Sequence, residues 1–253
     1  MQKNSFLFVV VFLMLTHASF AQKNDSAKNS SHFFGSFSVT NNGISLIPTF
    51  SLGKPAAIFQ LSMGKGKFSF EPELRFSLGG KPWSFIFWWR YKLWKSDKFN
   101  FTVGANPSMN FRTEISPVDG SEIIVTRRYL AGELSPNYLL AKNISIGMYY
   151  LYSRGIDRSA TRNNHFLTLN TSFSNIKFPK QFFMKLSPQV YYLQLDAQNG
   201  FYFSGSMTLA KINFPLSLSA IINRTIQTNI ITNKDFVWNV SLMYSFHHIY
   251  VKL

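Results

Sequence analysis

Glu71, Glu73 and Arg75 stand two residues apart, as do Arg90 and Lys92. A spacing of two is the side-chain period of a β-strand, so each set occupies one strand face. Arg112, Arg127, Glu133 and Lys185 fall on the same parity of their own segments, with Asn106, Asn110, Asn137, Gln189 and Asn223. If such a face lines a closed sheet, its excess of basic over acidic groups has two uses. Around a pore it favours anions. In a narrow lumen it closes a salt-bridged network that fills and stiffens the interior. Glu71, Glu73 and Arg75 are expected to pair across strands with Arg90 and Lys92. A second basic group, Arg127, Arg128, Arg154, Arg158 and Arg162, lies at or near the longer connections. Guanidinium forks suit bidentate phosphate binding, and a solvated charged rim is the plainer reading.

Catalytic and metal chemistry finds little support. His32, His165, His247 and His248 share no short motif with a serine and a carboxylate, and there is no Gly-x-Ser-x-Gly elbow. His165 with Ser159 or Ser174 is the only seed of an interfacial lipid hydrolase. His247 and His248 are adjacent, so on a strand they would point to opposite faces, and loop or edge positions suit them better. No catalytic residue, metal ligand or cofactor is assigned.

The elements that must carry these residues are strands. In 67–77, Phe68, Phe70, Leu74 and Phe76 alternate with Ser69, Glu71, Glu73, Arg75 and Ser77. In 99–113, Phe99, Phe101, Val103, Ala105, Pro107, Met109 and Phe111 alternate with a polar set. The period recurs in 44–52, 56–63, 67–77, 83–93, 99–113, 123–140, 144–154, 165–176, 181–195, 201–210, 216–226 and 236–250. Twelve such segments of roughly ten residues or more predict an all-β fold, a transmembrane antiparallel up-and-down barrel of about twelve strands. Segment 32–39 also alternates and precedes Asn41-Asn42-Gly43, a hairpin-type turn signal, so it is an extra strand, a strand extension or a plug. Pro72, Pro107, Pro136 and Pro188 sit inside predicted strands and predict local breaks in pairing. The connections 64–66, 95–98, 141–143, 177–180 and 211–214 are tight. The opposite set, 53–55, 79–81, 116–121, 155–164, 196–199 and 227–234, includes the three longest. This asymmetry matches short periplasmic turns and longer external loops.

The N-terminus reads as an export signal. Lys3 precedes an apolar run over 6–15, and Ser19-Phe20-Ala21 forms a small-x-small cleavage site, so 1–21 is expected to be a cleaved signal peptide. That run is too short for a spanning helix, which needs about 20 residues. Residues 22–43 are expected to be a flexible lead-in, an extra N-terminal strand or a plug, and 44–253 the barrel. With no cysteine, disulfides and thiolate metal sites are excluded. Mean hydropathy is −0.01, too low for a helical membrane protein, yet aromatics reach 17%. A barrel with one face in lipid and one in a polar lumen accounts for both. A formal charge of +15 in a soluble chain would suggest nucleic acid, but an export signal and dispersed charges argue against it.

Trp83, Trp94, Tyr149, Tyr150, Tyr152, Tyr191, Tyr192, Trp238 and Tyr244 are expected to form aromatic girdles at headgroup depth. The last segment alternates Phe236, Trp238, Val240, Leu242, Tyr244 and Phe246 on one face. It resembles the closing strand of Gram-negative outer-membrane β-barrel proteins, although this chain ends in Leu253 where that family typically has Phe. The resemblance covers 44–253 as architecture and carries no site residues. It implies a porin-like protein in the cell outer membrane, inserted by the barrel-assembly machinery, among outer-membrane lipids and lipopolysaccharide, whose phosphates become the ligand of the second basic group. The function expected is a narrow passive channel for small, anionic solutes. The alternatives are a non-conducting structural or adhesion barrel and, third, an interfacial lipid hydrolase.

Overall fold

The computed structural model describes residues 30–231 and 234–251. Twelve strands follow in chain order: β1 (Ser30–Thr40), β2 (Ala56–Lys65), β3 (Phe68–Ser77), β4 (Pro82–Lys95), β5 (Phe99–Ile115) and β6 (Glu122–Ala141). Then come β7 (Ile144–Gly155), β8 (Asn163–Lys177), β9 (Phe182–Leu195), β10 (Gln198–Lys211), β11 (Leu216–Thr228) and β12 (Phe236–Val251). Each strand pairs antiparallel with its chain neighbours, and β1 pairs with β12 from Ser30↔Val251 to Thr40↔Ser241. The sheet is therefore a closed barrel without edges, the sheet form whose backbone can be satisfied inside a bilayer. No helix among the described residues is long and apolar enough to cross a membrane.

The period of two sorts the side chains as the sequence pattern requires. Phe59, Trp89, Leu134, Leu169, Val190, Leu218, Trp238 and Leu242 stand exposed on the outer wall. So continuous an apolar belt is untenable in water and is what the hydrocarbon core of a bilayer covers. The inner wall carries Ser69, Asn106, Asn110, Glu133, Thr168, Ser204, Asn223 and Asn239, all buried.

The strand count matches the expectation, but one member differs. Segment 44–52 is not a strand. The first strand is β1, within the stretch read as a lead-in, an extra strand or a plug; the strand alternative holds, and the barrel begins N-terminal to the expected start at 44. Pro48 opens a short 3-10 turn over Pro48–Phe50. Its alternating apolar residues look strand-like, yet Leu46 and Ile47 pack inside the barrel. The 1–21 signal reading and the first part of the lead-in lie outside the described residues.

All four prolines break a ladder. Pairing between β2 and β3 skips Pro72, between β4 and β5 Pro107, between β6 and β7 Pro136, and between β8 and β9 Pro188. On its other side each proline stays in register, opposite Phe87, Leu130, Phe101 and Gly205 respectively. Proline lacks the N–H for one neighbour only, which explains the one-sided breaks. Among the described residues, five connections (66–67, 96–98, 142–143, 178–181, 212–215) form a short-turn end. The opposite end carries 41–55, 78–81, 116–121, 156–162, 196–197 and 229–235.

Candidate functional site in the lumen

Glu71, Arg90, Glu133 and Tyr149 form one network across β3, β4, β6 and β7. Arg90 Nε and Nη2 donate to Glu133 Oε1 and Oε2 at 2.5 and 3.2 Å, and Nη1 donates to Glu71. Tyr149 Oη donates to Glu133 Oε2 at 2.7 Å. The side chain of Glu133 is 1% exposed, so its charge is held wholly by these donors. Arg90 also lies over the Trp88 ring, 4.6 Å from its centre. On the neighbouring strand face, Arg75 pairs with Glu73, which also accepts from Gln60. Arg75 stacks 4.9 Å from the centre of Trp83.

Of the residues proposed for the lumen, Glu71 and Arg90 come together, while Glu73 pairs with Arg75 within β3 rather than across to β4. Lys92 and Lys185 are exposed at inward positions nearer the short-turn end, and neither is in an ion pair among the described residues. Arg112 Nη1 donates to the backbone carbonyl of Ser51 at 3.1 Å.

That bond belongs to a plug. The connection 41–55 turns into the long-loop half of the barrel and is pinned from three walls. Besides Arg112 on β5, Trp83 Nε1 on β4 donates to Phe50 O at 2.7 Å, and Tyr191 Oη on β9 donates to Leu46 O at 2.8 Å. Leu46 and Ile47 pack against Phe166, Tyr191, Leu193, Leu195 and Tyr202 of β8–β10, with Ile230 closing the cluster from the 229–235 connection. The lumen is thus two-sided: an apolar, aromatic wall on β8–β10 that seats the plug, and a charged wall on β3–β6.

Three residues assigned to the girdles belong here instead. Tyr149 and Tyr191 face inward because in each Tyr-Tyr pair strand alternation sends one ring to each side. The inward parity of Gln189 already implied it for Tyr191. Trp83 points inward because β4 carries an extra residue there: Arg75 pairs with Ser84 and Phe76 with Pro82, which leaves Trp83 as the bulge. Trp83 is 1% exposed. Trp94, Tyr150, Tyr152, Tyr192, Trp238 and Tyr244 remain on the outer wall.

Besides a small cavity of about 140 Å³ between the plug and the β4–β7 wall, two larger ones lie beside and below the plug. One of about 430 Å³ lies between the plug and the β10–β12 wall, with Lys54, Arg112, Lys234, Asp235, Tyr202 and Asn223 around it. The other, about 660 Å³, opens in the short-turn half among Phe34, Gln60, Glu71, Glu73, Arg90 and His247. His32 and His247 also face this space. His32 Nε2 lies 3.2 Å from Ser62 Oγ, and His247 stacks on Phe34 at 4.2 Å. Both histidines of the 247–248 pair lie within β12 and take opposite faces, so neither is a loop or edge residue.

The second arginine group is divided by the same alternation. Arg127 turns inward and pairs with Glu114 at 2.7 Å, whereas Arg128 turns outward and pairs with Asp157 at 2.7 Å. Arg154, Arg158 and Arg162 are exposed at the 156–162 connection. His165 bonds to Tyr150 Oη at 2.9 Å on the outer wall. Ser174, on the same strand, is roughly 30 Å away by the strand rise, and its hydroxyl donates to Asn143 O. That hydrolase pair is therefore not assembled. Among the described residues no group of three His, Asp or Glu could hold a metal.

The fold has solved counterparts. Over 85% of this chain and 99% of the other, it superposes on the KdgM porin with a TM-score of 0.54 and 10% identity. Over 90% of this chain and all of the other, it matches an outer-membrane channel from Pseudomonas putida F1 with a TM-score of 0.51 and 10% identity. The chain has the fold of the outer-membrane porins. At this identity the likeness is one of backbone, so no side-chain role transfers with it. No family model matches the sequence, and no curated protein matches it.

Proposed function

We propose that this protein is a narrow passive channel of a bacterial outer membrane, permeable to small anionic solutes that pass beside the 41–55 plug. The observation that carries this reading is the cavity between the plug and β10–β12, where Lys54, Arg112 and Lys234 face Asp235 alone. That cavity lies against β10–β12 and the one in the short-turn half against β1–β4 and β12, so β12 borders both. Between them the lumen face carries Ser36, Ser38, Thr40, Asn239 and Ser241, with Ile58 and Met243 beside them. Rings of fixed basic charge raise the local anion concentration in a low-dielectric tube. Because Arg75 and Arg90 are committed to carboxylates, selectivity falls to Arg112, Lys92 and Lys185. Two solved structures of the same fold are described as a porin and a channel.

Single-channel recording of the refolded protein in a planar bilayer under a salt gradient tests this. Discrete steps with an anion-selective reversal potential are expected. Steps with cation preference would refute the charge argument. A silent bilayer, with folding verified by heat-shifted gel mobility, would refute the channel.

The plug is the observation for a second reading, a closed structural barrel, and the same recording separates the two. The exposed guanidiniums of Arg154, Arg158 and Arg162 offer forks suited to lipopolysaccharide phosphates on the long-loop side. Export by a cleaved signal over 1–21, insertion by the barrel-assembly machinery and an outer aromatic girdle complete the proposal. No catalytic step is assigned.

A further inference from the structure

Lysines crowd the short-turn rim of the barrel, although Lys54, Lys81 and Lys234 stand at the opposite end. Each of the five tight connections carries or abuts a lysine: Lys67, Lys98, Lys142, Lys180 and Lys211. Three of the preceding strands, β2, β4 and β8, also end on one. All of the short-turn lysines are exposed, none is in an ion pair among the described residues, and Asp97 is the single acid at that rim. The arginines lie in the lumen or toward the long-loop end.

The outer wall beside this rim is grooved. Phe178, Phe182, Met184, Met207 and Leu209 line one depression of about 400 Å³ with apolar groups alone. A second of about 460 Å³ shares Phe182 and Leu209 with it, and runs on past Phe214, Leu218 and Leu242. Lys211 stands at their junction, its Nζ 5.9 Å from the centre of the Phe182 ring, and Lys180 lies in the connection just before Phe182. Apolar grooves directly beneath unpaired ammonium groups fit one amphiphile: an acyl chain ending in an anionic headgroup.

We propose that the β9–β11 outer wall at the short-turn end is a binding site for an anionic glycerophospholipid. Its acyl chains lie in the two grooves, and its phosphate is held by Lys180 and Lys211. This site is on the opposite rim from the arginines that suit lipopolysaccharide, and it stands whether or not the lumen conducts.

The full chain, refolded into vesicles of equimolar phosphatidylcholine and phosphatidylglycerol and then extracted into mild detergent, is examined by native mass spectrometry for retained lipid. Phosphatidylglycerol should be retained about tenfold over phosphatidylcholine, since each surface lysine favours an anionic lipid severalfold. The K180Q/K211Q variant should bring the two lipids near parity, and R154Q/R158Q should leave the preference unchanged. Heat-shifted gel mobility verifies that each variant is folded. Equal retention in the native chain, or a preference that survives K180Q/K211Q, overturns the site. Displacement of the lipid by inorganic phosphate at equal molarity would assign the lysines to a free anion and overturn the role of the grooves.

Discussion

Arg90 on β4 and Glu133 on β6 meet across an intervening strand, directly over Gly104 of β5. A Cβ at Gly104 would stand 2.8 Å from Glu133 Oε1 and 3.1 Å from Arg90 Cγ, so the ion pair exists because that position has no side chain. Two strands that share no backbone ladder are thereby tied through their side chains inside the barrel.

Removing one partner of this pair leaves the other charge without compensation. Glu133→Ala should cost about 3 kcal/mol, because Glu133 is fully buried and Arg90 keeps only Glu71. Gly104→Ala should cost about 1–2 kcal/mol by forcing the two side chains apart. Urea unfolding of the refolded protein, followed by tryptophan fluorescence, measures both. An unchanged midpoint for Glu133→Ala would show that the network contributes nothing to stability.

The plug sets the width of the passage. Excising residues 44–52 should raise single-channel conductance severalfold. Tyr191→Phe removes one of the three pinning bonds, at a cost of about 1 kcal/mol, and should increase flickering between conductance levels without changing the fold. A deletion variant with unaltered conductance would mean that ions do not pass along the plug.

Selectivity is assigned to the basic residues that no carboxylate neutralises. Lys92→Glu with Lys185→Glu should shift the reversal potential toward cations, while Arg75→Gln should change it little, because Arg75 is already paired with Glu73. The reverse ordering in a salt-gradient recording would sink this assignment.

Leu134 faces outward in the middle of β6 and is 45% exposed on the apolar belt. Leu134→Arg should destabilise the protein in bilayers by about 2–4 kcal/mol. In lipid vesicles the folded fraction, read as the heat-shifted band on a gel, should fall. A neutral outcome would place this part of the wall outside the hydrocarbon.

Asp157 accepts from the backbone N–H of Arg128 at 2.7 Å and from its guanidinium. Hydrogen bonds from Arg128 hold the Asp157 carboxyl below its ordinary range. A group depressed in the folded state contributes its stabilisation above the unfolded value, about 3.9, and loses it as pH falls through the folded value. The 156–162 connection should therefore resist proteolysis equally at pH 7 and pH 5, and loosen only below about pH 4. Asp157→Asn should loosen it at every pH. Loss of protection between pH 7 and 5 in the native chain would contradict the pairing.

What the sequence determined by itself is the wall. Alternation needs only the local geometry of an extended chain, so Phe68 and Glu71, Phe101 and Arg112, Trp238 and Asn223 were assigned to their faces without knowing what they would touch. The same logic located the four prolines as breaks and gave the asymmetry of the two ends. It failed where the period is local but the environment is not. Residues 44–52 alternate like a strand, yet Pro48 and the apolar seat on β8–β10 make them a plug, and only the closed barrel creates that seat. Trp83 faces inward because of one bulge, which shifts parity without any mark in composition. Charges could be placed in the lumen by parity, but partners depend on register and on gaps such as Gly104. The pairing of Arg90 with Glu133 was decided by which strands lie side by side once the sheet closes, whereas alternation alone sends Arg127 inward and Arg128 outward.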